Sequence, residues 1–334
     1  MKTYVITGAT GHIGFRIAES LLQTGDRVKV IARSREKLLP LIEKGAEALI
    51  GNLAETEFLT ESFKGADAVF TMIPPDMQAK DVWASQTRIG TSIAEAIRKT
   101  GVKWVVNLSS QGAHLSRGTG PIAGLHEQEE RLNRIPDVNV VHLRPAFFME
   151  NLLNNIGLIK EKGITGSPLR GEVKFPVIAT RDIARVAAEY LTKLNFTGSS
   201  VRDLLGHRDL SMIEMTELLG KAIEKPSLRY VQFSYEAAKE AMLGMGLSPD
   251  VARVMNEMYE AFNEGRILHG NERKAENTTE TTFEEFTAEF ARLYKAETPS
   301  TLTEEPGKKS EVTELEEKPH RSWWSQIHRR SKAA

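Results

Sequence analysis

The residues best placed to do chemistry come early. Gly8-Ala9-Thr10-Gly11-His12-Ile13-Gly14 follows directly on the apolar stretch Tyr4-Val5-Ile6-Thr7. Its three glycines are spaced Gly-x-x-Gly-x-x-Gly, and each meets a separate steric demand. Gly8 permits a sharp turn off a strand, Gly11 lets backbone come close to a diphosphate, and Gly14 lets a helix pack on the sheet. A helix opening near Ile13 would aim free amides and the positive end of its dipole at an anion. The run from Gly8 to Gly14, with Thr10 and Ile13, is therefore expected to hold the diphosphate of a dinucleotide. His12 reads as a residue lining that turn, not as a catalyst.

A second position sets which dinucleotide. The second apolar stretch ends Val30-Ile31-Ala32-Arg33-Ser34-Arg35. Sites that take NAD place a carboxylate here for the ribose 2′-hydroxyl. A carboxylate repels a 2′-phosphate, whereas a guanidinium grips one with paired charge-assisted hydrogen bonds. Arg33 thus favours NADP(H) over NAD(H); its other reading is a solvated charge in a surface turn. Glu36 comes too late for the ribose and is expected to face solvent.

Further on, His126 and Glu130 stand one helical turn apart and can face each other. So paired, the imidazole would be a ribose-binding donor or an acid near the substrate; otherwise it is a surface histidine in a helix ion pair. Ser109, ending a strand, can hydrogen-bond nicotinamide or substrate, or be no more than a polar strand end. Pro145 precedes Phe147 and Phe148, which pack either on a nicotinamide ring or in the core. His114, His142 and His207 are too scattered for a metal set, and no His-Glu-x-x-His pattern occurs.

These residues need a sheet to position them. Strands are predicted at Tyr4–Thr7, Val28–Ala32, Ala48–Gly51, Ala68–Ile73, Val102–Leu108 and Val138–Leu143, several apolar on both faces. Between them Ile13, Ile17, Leu21 and Ile89, Ile93, Ile97 recur at helical spacing, with Gly25 and Gly101 closing those helices. This alternation predicts an α/β fold, a doubly wound parallel Rossmann sheet. In the second half, Thr180-Arg181-Asp182-Ile183 opens a helix. Ser211 with Glu214, and Thr281 with Glu284, read as capping boxes. That half is expected to form a smaller, mostly helical lobe over the substrate.

The glycine spacing resembles the short-chain dehydrogenase/reductase superfamily. Two further segments, Gly124-Leu125-His126-Glu127-Gln128-Glu129-Glu130-Arg131-Leu132 and Leu143-Arg144-Pro145-Ala146-Phe147-Phe148-Met149-Glu150-Asn151, resemble its atypical NmrA-like branch, over about residues 1–295. That branch holds NADPH-dependent quinone and dye reductases and redox-sensing regulators. The resemblance places His126 in a Lys/His position, Glu130 in the glutamate position four residues on, and Ile122 where other short-chain enzymes carry a tyrosine. It sets Asn52 and Leu53 near the adenine, where Asn52 is otherwise a turn asparagine, and Met72, Ile73 and Pro74 along the cofactor ribose. The usual Tyr-x-x-x-Lys pair is missing. Among the six tyrosines only Tyr235, with Lys239, has the spacing, and it follows the N-cap Ser234 in the wrong half of the chain.

Three functions are open on these grounds. The leading one is a reductase carrying hydride from NAD(P)H to a small conjugated acceptor such as a quinone, which needs no strong enzyme acid. The alternative is a regulator that senses NADP(H) without turnover. Epimerase or dehydratase chemistry is disfavoured, because it relies on the missing tyrosine.

Composition bounds the rest. The chain has 334 residues, 40% of them hydrophobic, a formal net charge of -1 and no cysteine. Near-neutral charge gives no reason to expect a nucleic-acid partner. The absence of cysteine excludes disulfides and thiolate chemistry and suits a reducing cytoplasm. No apolar run approaches the roughly 20 residues of a membrane span, and the glycine turn leaves no room for a leader before it. Residues 1–150 are read as the cofactor-binding core, 151–296 as the substrate lobe with elements returning to the core, and 297–334 as a charged tail. Trp323 and Trp324 sit among cations in that tail; a solvated terminus is expected there, with a partner protein or membrane surface as the other reading.

Overall fold

The computed structural model describes residues 1–268 and 272–296. The six expected strands form as β1 (Thr3–Ile6), β2 (Arg27–Ala32), β3 (Glu47–Ile50), β4 (Ala68–Thr71), β5 (Trp104–Leu108) and β6 (Asn139–Pro145). They join a seventh, β10 (Ser199–Leu204), in the order β10-β6-β5-β4-β1-β2-β3, every neighbouring pair parallel. Successive residues of β1 part to opposite faces: Tyr4 and Ile6 to one core, Val5 to the other. The order of strands reverses between β1 and β4, so a crevice opens above their carboxyl ends.

One face is covered by α1 (His12–Gln23) and α7 (Thr180–Lys193), whose Ile13, Ile17, Leu21, Ile183, Ala187 and Leu191 are buried against the sheet. The short α2 (Leu39–Ile42) sits at the same side. The other face carries α3 (Thr56–Phe63), α4 (Val82–Thr100) and α5 (Ile122–Asn133), with Leu59, Phe63, Ile89, Ile93, Ile97 and Leu132 inward. Gly101 ends α4 in left-handed backbone, its amide on the Ile97 carbonyl.

The later half folds partly back onto this sheet and partly beside it. After β6 come β7 (Phe147–Phe148), a 3-10 segment (Met149–Asn155), α6 (Ile156–Lys162), β8 (Ile164–Ser167) and β9 (Phe175–Ile178). Past α7 and β10 follow β11 (Asp209–Leu210), α8 (Met212–Ala222), β12 (Arg229–Gln232), α9 (Tyr235–Gly244), α10 (Pro249–Asn263) and α11 (Phe283–Ala296). The lobe is thus helical but also carries two small sheets, β11-β9-β7 and β12-β8, not expected from periodicity. Its core gathers Met149, Phe175, Met215, Phe262, Phe286 and Phe290.

The capping box of Ser211 and Glu214 forms at α8. At α11 the box is one residue later than predicted: Thr282 and Glu285 exchange the bonds, and Thr281 instead binds the buried Asp182 through its amide and hydroxyl. The tail, with Trp323 and Trp324, lies outside the described residues. Among the described residues no helix is long and apolar enough to cross a membrane.

A polar ladder runs under the sheet. Thr71 Oγ1 donates to Asn107 Oδ1 at 3.1 Å, Asn107 Nδ2 to His142 Nδ1 at 3.1 Å, and His142 Nε2 to Asn133 Oδ1 at 2.9 Å. Burial pulls the His142 imidazole down to about 4, so it is neutral at physiological pH.

Candidate active site

The glycine turn leaves β1 at the crevice. Thr7 anchors it: its hydroxyl donates to the Phe70 carbonyl and accepts from the Met72 amide, both at 3.1 Å, tying the ends of β1 and β4. Gly8 then takes a φ of +64°. A Cβ on Gly14 would stand 2.4 Å from the Gly8 carbonyl oxygen, so α1 and the turn pack as closely as backbone allows. At Gly11 the nearest atom to such a Cβ is 3.5 Å away, which leaves the approach to the turn open. Helix α1 starts at His12 with Gly11 as an extended N-cap, no side-chain cap and no acidic residue in its first turn. Its first amides are bare, and the donor set suits a diphosphate.

The remaining cofactor positions lie around this turn. Arg33 is exposed at the end of β2 and makes no hydrogen bond or ion pair among the described residues, while Glu36 is taken by the Ser34 hydroxyl. Asn52 uses its Oδ1 on the Ala54 amide at 3.0 Å, the bond of a turn asparagine, and Leu53 is buried. Met72 packs on Gly8, Ile73 is in the core and Pro74 is half-buried.

Helix α5 departs from the expected arrangement. His126 and Glu130 do not meet: the His126 Nδ1–H donates to the Ala113 carbonyl at 2.9 Å, and exposed Glu130 approaches Arg134 at 3.5 Å. His126 faces an outer groove with Thr91, Ser116 and Arg131. The glutamate that turns inward is Glu129. It accepts both Nε (2.9 Å) and Nη2 (2.5 Å) of Arg144 and the Ser109 hydroxyl at 2.5 Å. The Ser109 hydroxyl hydrogen is therefore used within the fold. The expected pairing of His126 with Glu130 therefore does not form, and the carboxylate that α5 turns toward the sheet is one residue earlier, at Glu129. The clue available in sequence was that Ile122, Glu129 and Leu132 share one face of the helix.

Glu150, of the Met149-Glu150-Asn151 run, accepts the Thr180 amide at 2.9 Å and its hydroxyl at 2.6 Å, capping α7. The Tyr235–Lys239 spacing is incidental: the Tyr235 hydroxyl accepts from Asn263 at 2.7 Å, and Lys239 lies by Glu236.

Beside the crevice lies a cavity of about 540 Å³. Its floor is Gln111, Pro145, Ala146 and Phe147, at the carboxyl ends of β5 and β6; its roof is Met242 of α9 with Met255, Met258, Tyr259 and Phe262 of α10. The Phe147 ring meets Phe175 at 5.4 Å and Phe262 at 6.4 Å, both edge-on, so it belongs to the lobe's aromatic core as well as to the cavity wall. The Tyr259 hydroxyl has no hydrogen-bond partner among the described residues, and burial pushes it up to about 12. Gln111 and Tyr259 carried no motif that would have marked them in the sequence. Among the described residues no group of three His, Asp or Glu is placed to hold a metal ion.

The sheet and its uncapped turn define a Rossmann-type protein of the dinucleotide-binding class. Residues 1–287 match the NmrA-like family, and the chain belongs to it. It is 32% identical over 257 residues to an NAD(P)H azoreductase of Xenophilus azovorans, spanning 76% of this chain and 85% of that protein. Two solved structures share the fold. An Escherichia coli NADPH-dependent quinone oxidoreductase, complexed with NADPH, aligns with a TM-score of 0.68 at 20% identity, over 86% of this chain and 99% of that one. NmrA, a negative transcriptional regulator in complex with NADP, aligns with a TM-score of 0.70 at 14% identity, over 90% and 98%.

Proposed function

We propose that this chain is an NAD(P)H-dependent oxidoreductase of the cytoplasm that reduces a small conjugated acceptor such as a quinone. One juxtaposition carries the reading. The bare glycine turn after β1 and an apolar cavity after β5 and β6 stand at the same edge of one parallel sheet. That the azoreductase and the quinone oxidoreductase to which the chain is similar are redox enzymes supports it.

The amides of His12, Ile13 and Gly14 would hold the diphosphate, with Thr10 and Gly11 leaving room for it. Arg33, with no partner among the described residues, would take a 2′-phosphate, which favours NADP(H) over NAD(H). Asn52 and Leu53 would flank the adenine side, Met72, Ile73 and Pro74 the ribose, and Pro145 and Phe147 the nicotinamide. A reduced nicotinamide bound here supplies a hydride, which with one proton turns a quinone into a hydroquinone and leaves the cofactor oxidised. The methionines and aromatic rings of the cavity exclude water from the acceptor's faces. The Tyr259 phenol, which has no hydrogen-bond partner among the described residues, would donate one to the oxygen on which charge develops. Ser109, donating to Glu129, and His126, whose Nδ1–H donates to the Ala113 carbonyl, tie α5 to β5 and to the loop after it, while the Ser109 oxygen can still accept a hydrogen bond.

The test is direct. Purified protein is mixed with NADPH and a panel of quinones, and the reduced-nicotinamide absorbance is followed. Turnover is expected, and a His126→Ala variant should retain it. Tight cofactor binding with no turnover on any acceptor would sink the enzyme reading and leave that of a cofactor-sensing regulator.

A further inference from the structure

The loop after β5 carries a polar side chain that the fold does not use. The Gln111 backbone is pinned on both sides: its amide donates to the Pro145 carbonyl at 2.9 Å, and its carbonyl accepts the Ser110 hydroxyl at 2.9 Å. The side chain is only 3% exposed, yet neither Oε1 nor Nε2 has a hydrogen-bond partner. It lines the cavity beside Pro145 and Phe147. A buried carboxamide with both functions unmet is costly, because each atom has given up water for nothing in return. Whatever displaces water from this corner must offer a hydrogen-bond acceptor and a donor side by side. Of the opposite wall, Met242, Met255, Met258 and Phe262 ask for a flat apolar body, and the Tyr259 hydroxyl asks for an acceptor oxygen.

We propose that Gln111 is the specificity-determining residue of the acceptor site, reading a substrate by a carbonyl oxygen and a neighbouring N–H. The class so selected is a fused-ring quinone bearing an amino or carboxamide group next to one of its carbonyls. A plain quinone satisfies Nε2 and strands Oε1. An amino-substituted one satisfies both: its carbonyl accepts from Nε2 while its N–H donates to Oε1. The choice between a plain and an amino-substituted quinone is set by hydrogen bonding at the edge of the ligand that meets Gln111. This rests on the reductase reading given above for which ligand fills the cavity.

The experiment compares menadione with its amino analogue, in which an NH2 replaces the ring methyl at nearly equal size. Both are titrated by calorimetry into the full chain saturated with NADP+, which has no hydride to give, so binding is read without turnover. The amino compound is expected to bind about tenfold more tightly to the wild type. Gln111→Leu should abolish that preference and leave NADP+ affinity unchanged. Gln111→Met serves the same purpose should the leucine variant fail to fold. Equal affinities in the wild type, or a preference that survives in either variant, would overturn the proposal. So would a variant that loses NADP+ affinity instead, because Gln111 would then be serving the nicotinamide carboxamide. A chain that shows the expected binding pattern yet never oxidises NADPH refutes the reductase reading alone.

Discussion

At Gly14 the choice of glycine is a matter of distance: a side chain there would drive into the Gly8 carbonyl, and α1 would have to lift off the turn. Steric demands of this kind can be read from spacing, which is why the turn is legible in the sequence. Charge is legible too where nothing else claims it. Arg33 makes no bond among the described residues and stands at the end of β2, so Arg33→Asp should weaken NADPH far more than NADH, by about tenfold or more, as a charge-assisted contact becomes repulsion. Cofactor titrations of the two proteins check this, and an equal loss for both nucleotides would count against a 2′-phosphate role. What could not be read by motif was the inward residue of α5. Three glutamates crowd Glu127 to Glu130, and a motif spaced from His126 selects Glu130. The helix phase, fixed by Ile122 and Leu132 against the sheet, selects Glu129.

Elements were legible in proportion to how well burial marks them. Strands β1, β4 and β5 are largely apolar runs because they lie inside the sheet with helices on both faces. Strand β10 escaped notice because Ser199, Ser200 and Val201 are exposed and it sits at the sheet's edge, held by main-chain pairing with β6. Helix α5 is fastened to β6 by an ion pair, with side-chain exposure of 5% at Glu129 and 17% at Arg144. Removing one member of a buried pair leaves the other charge stranded. Glu129→Ala should therefore cost about 3 kcal/mol or more of folding free energy. Glu130→Ala, at an exposed pair, should change it by no more than about half a kcal/mol. Urea unfolding of both variants settles the assignment: equal effects would mean that the Glu129–Arg144 pair does not hold the helix to the sheet.

Across the whole molecule, the part least visible in sequence was the roof, where α9 and α10 bring methionines and Tyr259 over strand ends from which they are far removed in the chain. No local pattern encodes a meeting of that kind. Another long-range feature, the ladder from Thr71 to Asn133, makes folding stability depend on pH. His142 stays neutral when folded down to about 4, against an ordinary value of 6.5, chiefly because burial penalises its charged form. Between those two values the unfolded chain binds a proton that the folded chain refuses, so stability rises with pH across the window. The neutral imidazole's contribution is complete above 6.5 and fades as pH falls toward 4, by up to about 3 kcal/mol. Carboxylates titrate nearby, so the quantity to follow is the difference between wild type and His142→Gln, which has no proton to gain. That gap should shrink steadily as the solution is acidified through the window. A gap that stays constant would mean that the folded and unfolded chains take up the proton alike, and burial would then not hold the imidazole neutral.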